Sequence, residues 1–145
     1  MAGHDAPRPG DVVWLEFDPQ AGHEQAGRRP ALVLSPAAYN AKTGMMVCCP
    51  ITSQIKNYPF EVIIRGNANV TGAILSDQIK NLDWRARKAR HKGKVSDDEL
   101  IETLAKNQGL IEPSLTVAGP TNNEQRSTIN DPRPTKWNRS WKLYA

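Results

Sequence analysis

Long apolar runs are missing from this chain of 145 residues. The longest, residues 45–51, is far shorter than the roughly 20 residues that a membrane-spanning helix requires. The first residues also lack the apolar segment of a secretory signal. We therefore expect a cytoplasmic protein that has no contact with a membrane.

Cysteine is scarce as well, because the chain contains only Cys48 and Cys49. Adjacent cysteines rarely pair with each other, which excludes a disulfide scaffold and favours a reducing compartment. The three histidines are scattered, and the acidic residues are spread singly until positions 97–99. Neither pattern has the spacing of a zinc site or of a carboxylate cluster for Mg²⁺, so we predict no metal and no other cofactor.

Positive charge exceeds negative charge, since 19 Lys and Arg against 15 Asp and Glu give a net charge of +4. This balance favours an anionic partner. The composition changes near residue 112, after which the chain is rich in Pro, Asn, Ser and Thr and has no apolar period over most of its length. We predict one domain in residues 1–112 and a mobile basic tail in residues 113–145.

The first 112 residues have the pattern of short strands followed by one helix. Ser96 and Glu99 form a capping box at the start of this helix, and Leu100, Ile101, Leu104 and Ala105 form its predicted apolar stripe. Together these elements predict a mainly β fold, a small antiparallel barrel or curled sheet closed by a C-terminal helix. The predicted strands are residues 12–17, 31–34, 45–49 (ended by Pro50), 60–64, 73–75 and 78–82.

The segment of residues 18–30 is too long and too polar for a tight hairpin. Gly22 and Gly27 match the start of a phosphate-binding loop, but Arg28 and Arg29 replace its Lys-Ser/Thr pair and a strand follows. Nucleotide hydrolysis of that type is thus excluded. The segment does hold a carboxylate, an imidazole and two guanidiniums, which suit metal-free phosphodiester cleavage. A solvated loop with incidental charges fits the same spacing.

Two further segments suit an anionic ligand. Residues 50–60 offer hydroxyls, an amide and a lysine after a strand, as a phosphate site would, although ordinary turn chemistry is the better explanation of this segment taken alone. Six of the ten residues 85–94 are Lys or Arg, a pattern typical of a surface that binds a nucleic-acid backbone. A solvated basic face is the alternative for this run.

Five blocks occur in the same order in a known family. They are GDVVWLEFDP (10–19), GHEQAGRRPALVLSP (22–36), YNAKTGMM (39–46), PITSQIKNYPFEV (50–62) and LSDQIKNLDWRAR (75–87). Over residues 8–111 the chain resembles the MazF/PemK/Kid toxins, the RNA-cleaving halves of bacterial type II toxin–antitoxin pairs, and above all their MazF branch. The dense basic run and the tail depart from the family pattern.

The resemblance implies a small SH3-like antiparallel β-barrel with a C-terminal helix, assembled as a homodimer. It implies sequence-specific, metal-independent cleavage of single-stranded RNA, chiefly mRNA. The RNA's own 2′-hydroxyl would attack, leaving a 2′,3′-cyclic phosphate and a 5′-hydroxyl. The implied protein partner is an acidic antitoxin of the MazE type. A DNA gyrase poison of the CcdB type on the same fold, and a barrel that only binds a partner, are the alternatives.

The resemblance also implies roles for individual residues. The family's catalytic arginine falls on Arg29, as acid or charge stabiliser, and its catalytic threonine falls on Thr52, as a donor to a phosphate oxygen. The loop acid linked to activity falls on Glu24, while the general base is not identified. His23 is set aside because the MazF branch does not require a histidine there. The predicted RNA contacts are Asn40, Lys56, Gln78, Lys80 and Arg87.

Overall fold

The computed structural model describes residues 5–17, 27–65 and 69–112 of the chain. Glu24, His23 and the predicted tail lie outside these described residues. The chain divides into two units, Met1–Lys106 and Asn107–Ala145, so that the last helix begins in the first unit and ends in the second. The elements of the described residues are β1 (Asp11–Glu16), β2 (Arg28–Val33), α1 (Ala37–Thr43), β3 (Met45–Thr52), β4 (Glu61–Ile64), β5 (Gly72–Leu75), β6 (Lys80–Asp83), β7 (Arg90–Lys94) and α2 (Asp97–Ile111).

The strands form one antiparallel sheet in the order β4-β5-β3-β2-β1-β7, and β6 also pairs with β3. The long strand β3 changes neighbours along its length. Its first half pairs with β6 (Cys48 opposite Lys80), whereas its end pairs with β5 (Thr52 opposite Ala73). This exchange curls the sheet into a half-barrel. The mainly β fold with a C-terminal helix is thereby confirmed.

The sheet is buried on both faces, which explains why its strands read as continuous apolar runs. Because side chains alternate along a strand, neighbours such as Leu32 and Val33 enter different cores. The first core contains Val12, Leu32, Leu34, Cys49, Ile51, Val62, Ile64, Val70, Ile74 and Val95, with Leu100 and Leu104 of α2 packed against it. The second core contains Val13, Leu15, Phe17, Ala31, Val33, Met46, Cys48 and Trp84.

The capping box of α2 is confirmed. The Ser96 amide donates to Glu99 Oε1 at 3.1 Å, and the Glu99 amide donates to Ser96 Oγ at 3.1 Å. Glu99 Oε2 also accepts the Arg65 amide at 2.6 Å, which joins the helix start to the end of β4. The helix therefore begins where the sequence predicts, because the cap satisfies amides that have no partner within the helix.

The predicted apolar stripe of α2 is wrong at two of its four positions. Leu100 and Leu104 pack on the first core, but Ile101 is 62% exposed and Ala105 is exposed too. The helix instead buries Thr103, which lies one turn after Glu99. The Thr103 hydroxyl donates to the Glu99 carbonyl at 2.8 Å. A polar residue can occupy the buried face because its hydroxyl is satisfied within the helix.

Three other elements differ from the sequence-based expectation. Pro50 does not end β3, which continues to Thr52. Pro50 lies between the β6 ladder, which ends at Cys48, and the β5 ladder, which starts at Ile51, so its missing N–H breaks no bond on that side. Helix α1 and strand β7 were not predicted, since one is only 7 residues long and the other is hidden in the basic run.

The basic run contributes to packing as well as to charge. Residues 90–94 pair with β1 as an edge strand, where charged side chains discourage pairing with another chain. Lys92 Nζ lies 4.8 Å from the ring centre of Trp14, and the Arg85 guanidinium carbon lies 4.6 Å from that of Trp84. Trp84 itself is core, in keeping with packing rather than base stacking. No helix of the described residues is long and apolar enough to cross a membrane.

Candidate functional site

Arg29 and Thr52 are brought together by the pairing of β2 with β3. The register places Ala31 opposite Pro50, and continuing it by two residues places Arg29 opposite Thr52. Side chains alternate along a strand, so Arg29 lies on the same face of β2 as Ala31, and Thr52 lies on the same face of β3 as Cys48. Ala31 and Cys48 both belong to the second core, so Arg29 and Thr52 lie on the face of that core. Arg29 is exposed at the end of this face, whereas Thr52 is only 8% exposed.

The hydroxyl of Thr52 accepts one backbone amide and keeps its own proton to donate. Thr52 Oγ1 accepts the Gln54 amide at 3.1 Å, so one of its lone pairs is used and its proton is available to another acceptor. The backbone of Thr52 is fixed by Gly72 on β5. A Cβ at position 72 would lie 2.3 Å from the Thr52 carbonyl oxygen, and the φ of +114° there also favours glycine. Only glycine therefore allows β5 to approach Thr52 this closely.

Lys80 and Arg87 lie on the same face, around Cys48. Lys80 is opposite Cys48 in the β3–β6 register, and Arg87 Nη1 donates to the Glu16 carbonyl at 2.8 Å. Burial, followed by the neighbouring Cys49, raises the pKa of the Cys48 thiol to about 12, although Lys80 and Arg87 act in the opposite direction. Cys48 is consequently a neutral packing residue beneath two cations and has no nucleophilic role.

Lys56 and Gln78 are presented by two neighbouring turns. Lys56 lies in the exposed loop between β3 and β4, and its amide donates to both carboxylate oxygens of Glu61 at 3.1 and 3.2 Å. Gln78 lies between β5 and β6, and its amide donates to the Leu75 carbonyl at 3.0 Å. The two turns are joined by Tyr58, whose hydroxyl donates to Asp77 Oδ2 at 2.6 Å. Asp77 was not singled out as a site residue in the sequence, because its pairing with Tyr58 spans 19 residues.

Asn40, a predicted RNA contact, is buried in this structure, and its contact with RNA stays a prediction. Asn40 is 0% exposed, and its oxygen accepts the Ser35 hydroxyl at 2.6 Å. Its amide nitrogen donates to the carbonyls of Pro7 at 2.9 Å and Ser35 at 3.0 Å. The side chain thus has no hydrogen-bonding group directed to solvent, and it holds the chain start, the end of β2 and α1 together.

The positively charged side chains and the hydroxyl suit a phosphate group. A guanidinium, a hydroxyl donor and an ammonium can hold phosphate oxygens and stabilise charge that develops on them. Within residues 5–17, 27–65 and 69–112, no group of three or more His, Cys, Asp or Glu side chains is placed to hold a metal ion. Glu24 lies outside the described residues, so its role stays a prediction.

Comparisons with known proteins agree on one family. A profile of the PemK-like, MazF-like toxins of type II toxin–antitoxin systems matches residues 8–108. Over 111 residues the chain is 50% identical to the endoribonuclease toxin MazF of Escherichia coli K12, which covers 77% of this chain and 99% of that protein. A crystal structure of MazF from Deinococcus radiodurans matches with a TM-score of 0.71 at 52% identity, over 73% of this chain and 96% of the other.

A solved MazE–MazF complex from the same organism matches with a TM-score of 0.66 at 52% identity, again over 73% of this chain and 96% of that one. The profile spans the described sheet and most of α2, and the E. coli relative is matched over nearly its whole length. The five sequence blocks, the fold and the comparisons therefore lead to the same conclusion: the chain belongs to the PemK-like, MazF-like toxins of type II toxin–antitoxin systems.

Proposed function

We propose that this chain is the toxin of a type II toxin–antitoxin pair and acts as a sequence-specific endoribonuclease on single-stranded RNA, chiefly mRNA. The observation that carries the proposal is that Arg29 and Thr52 follow the last pair of β2 with β3, Ala31 with Pro50, on the same face of the sheet. That pair lies in a chain that is 50% identical to a protein named as an endoribonuclease toxin.

In the proposed reaction the 2′-hydroxyl of the RNA attacks the adjacent phosphorus, and the bond to the 5′-oxygen of the next nucleotide breaks. The products are a 2′,3′-cyclic phosphate and a 5′-hydroxyl. Arg29 stabilises the charge on the phosphorane oxygens or supplies the proton for the leaving oxygen, while Thr52 donates its hydroxyl to a phosphate oxygen. Glu24 is the proposed loop acid, and no described residue is assigned as the base.

The remaining cations and the amide are proposed to hold the RNA on either side of the cut. Lys80 and Arg87 lie on the face of Arg29 and suit backbone phosphates. Gln78 has both a donor and an acceptor and can pair with a base edge, and Lys56 on its exposed loop suits another phosphate. The reaction as proposed requires neither metal nor cofactor.

We propose a homodimer in the cytoplasm, inhibited by an acidic antitoxin of the MazE type. The related Deinococcus radiodurans complexes contain MazE together with MazF. Acidic side chains would be attracted to the same cations that bind RNA phosphates, so antitoxin and RNA would compete.

The proposal is tested by incubating the purified chain with a defined RNA in the presence of EDTA and mapping both new ends. We expect cleavage to persist and to give 5′-hydroxyl ends with cyclic phosphates. Abolition of cleavage by EDTA, or products with 5′-phosphates, would contradict the proposed chemistry. The alternative of a gyrase poison is not supported by the comparisons, because the relatives matched here are named as endoribonucleases.

A further inference from the structure

The loop between β3 and β4 is attached to the turn before β6 at two places. At the end of the loop the amide (3.1 Å) and the hydroxyl of Ser76 both donate to the Phe60 carbonyl, and nearer its middle Tyr58 contacts Asp77. The hydroxyl of Tyr58 donates to Asp77 Oδ2 at 2.6 Å, although the tyrosine side chain is 46% exposed. A hydrogen bond to an ionised carboxylate is short and stronger than one between neutral groups. The contact therefore joins two segments that carry Lys56 and Gln78, both predicted to contact RNA.

The loop has a defined shape in which the backbone of Tyr58 is held by a hydrogen bond. The buried carboxylate of Glu61 accepts the amides of Lys56 and, at 3.4 Å, Tyr58. Asn57 between them has a φ of +58°, which asparagine tolerates better than most residues. Glu61 organises the base of the loop, and Tyr58 extends from it toward the neighbouring turn.

The turn depends on the same contact. Asp77 immediately precedes Gln78, and its second oxygen, Oδ1, is buried with no hydrogen-bond partner among the described residues. A buried acceptor without a donor is costly, so the carboxylate keeps this orientation only because another contact offsets the cost. Tyr58 supplies that contact, and without its hydroxyl Asp77 would rotate toward water and release the Lys56 segment of the loop. The Gln78 amide would keep its own bond to the Leu75 carbonyl.

We propose that Tyr58 and Asp77 form a latch that holds the Lys56 loop against the Gln78 turn and thereby sets which RNA sequence the site accepts. The inference rests on the proposed function. Both are positioning residues, since they act through Lys56 and Gln78. Base pairing by an amide fails after a small displacement, whereas attraction between a cation and a phosphate persists, so the latch governs sequence choice and KM more than kcat.

The test compares Tyr58→Phe with Tyr39→Phe as a matched control. Tyr39 also has a hydroxyl bonded to a side chain, accepting from Asn81 Nδ2 at 3.1 Å, but it links α1 to β6. We measure kcat and KM on one cleaved RNA, the sequences cut in a randomised RNA pool, and urea unfolding. Tyr58→Phe is expected to raise KM by about tenfold, with little change in kcat, and to relax the base preference at one position. Tyr39→Phe is expected to do neither.

Two substitutions of Asp77 separate latching from a general structural role. Asp77→Asn keeps an oxygen that can accept the Tyr58 hydroxyl, so it should retain much of the sequence preference. Asp77→Ala should match Tyr58→Phe, and combining the two should add nothing further. Additive losses in KM, or identical cut sequences in all variants, would overturn the latch.

The hydrogen bond itself is measured in the free protein, independently of cleavage. The hydrogen bond that Tyr58 donates to Asp77, followed by the negative charge of Asp77, raises the pKa of Tyr58 above its ordinary value of 10.0. Titration of ¹³C-labelled tyrosine by NMR should show this raised pKa, and Asp77→Asn should lower it. An unshifted Tyr58 in the wild-type chain would overturn the latch. If the pKa of Tyr58 is raised as expected but the chain cleaves no RNA, the proposed function would be contradicted instead, and with it the role of the latch in sequence choice.

Discussion

Arg29 and Thr52 lie two residues beyond the last β2–β3 pair, Ala31 with Pro50, and the alternation of each strand assigns both side chains to the face of the second core. Arg28, its neighbour on β2, pairs with Glu16 and points to the other face because side chains alternate along a strand. The two consecutive arginines are therefore distinguished by geometry. Arg29 shares the face of the Thr52 side chain, and Arg28 lies on the opposite face.

The first prediction compares Arg29→Ala with Arg28→Ala. Removing a guanidinium from a developing phosphorane should lower kcat/KM on the order of 10²-fold or more, by analogy with other oxyanion donors. Arg28→Ala removes the same charge one residue away and should cost far less. Cleavage rates on one RNA, together with circular dichroism of both variants, check this. Equal losses in the two variants would mean that net charge rather than position matters.

The second prediction concerns the Thr52 hydroxyl. Thr52→Val keeps the shape of the side chain but removes the donor, and should lower kcat on the order of 10²-fold. Thr52→Ser keeps the hydroxyl and should retain much of the activity. Single-turnover cleavage measures the chemical step directly. A Thr52→Val chain as fast as Thr52→Ser would exclude a donor role for this residue.

The third prediction follows from the burial of Asn40. Asn40→Ala removes three hydrogen bonds and leaves the Ser35 and Pro7 carbonyls without a donor, so the free energy of unfolding should fall by about 2–3 kcal/mol. Asn81→Ala, at an exposed asparagine, should change it by less than about 0.5 kcal/mol. Urea unfolding measures both. A stable Asn40→Ala chain with weakened RNA binding would support Asn40 as an RNA contact.

The fourth prediction concerns pH. The pKa of Cys48 is raised by burial from 9.0 to about 12 in the folded chain, so only the unfolded chain ionises easily. The stability contributed by the neutral thiol is fully present below pH 9 and is lost between pH 9 and about 12, at roughly 1 kcal/mol per pH unit. Unfolding of wild type and Cys48→Ser across that range isolates the effect. Parallel curves for the two chains would contradict it.

Local patterns were sufficient for much of the sheet and for the start of α2. Residues 12–17 and 60–64 are apolar runs between turn signals. The first contains β1 apart from Asp11, and the second contains all of β4. Ser96 and Glu99 fixed the helix start because a capping box is formed by residues three apart. Pro50 was misread since its effect depends on which neighbouring strand faces its nitrogen, and that is not encoded locally.

The sequence by itself determined the family and the mainly β fold, because five ordered blocks and short-range signals are sufficient for these conclusions. It also selected Arg29 and Thr52 as candidate site residues. The tertiary structure decided which residues are exposed to a ligand. It buried Asn40, brought Tyr58 to Asp77 and paired the strands that carry Arg29 and Thr52. Each of these relationships joins segments that are distant in the chain, and register and burial arise only when the sheet has closed around its two cores.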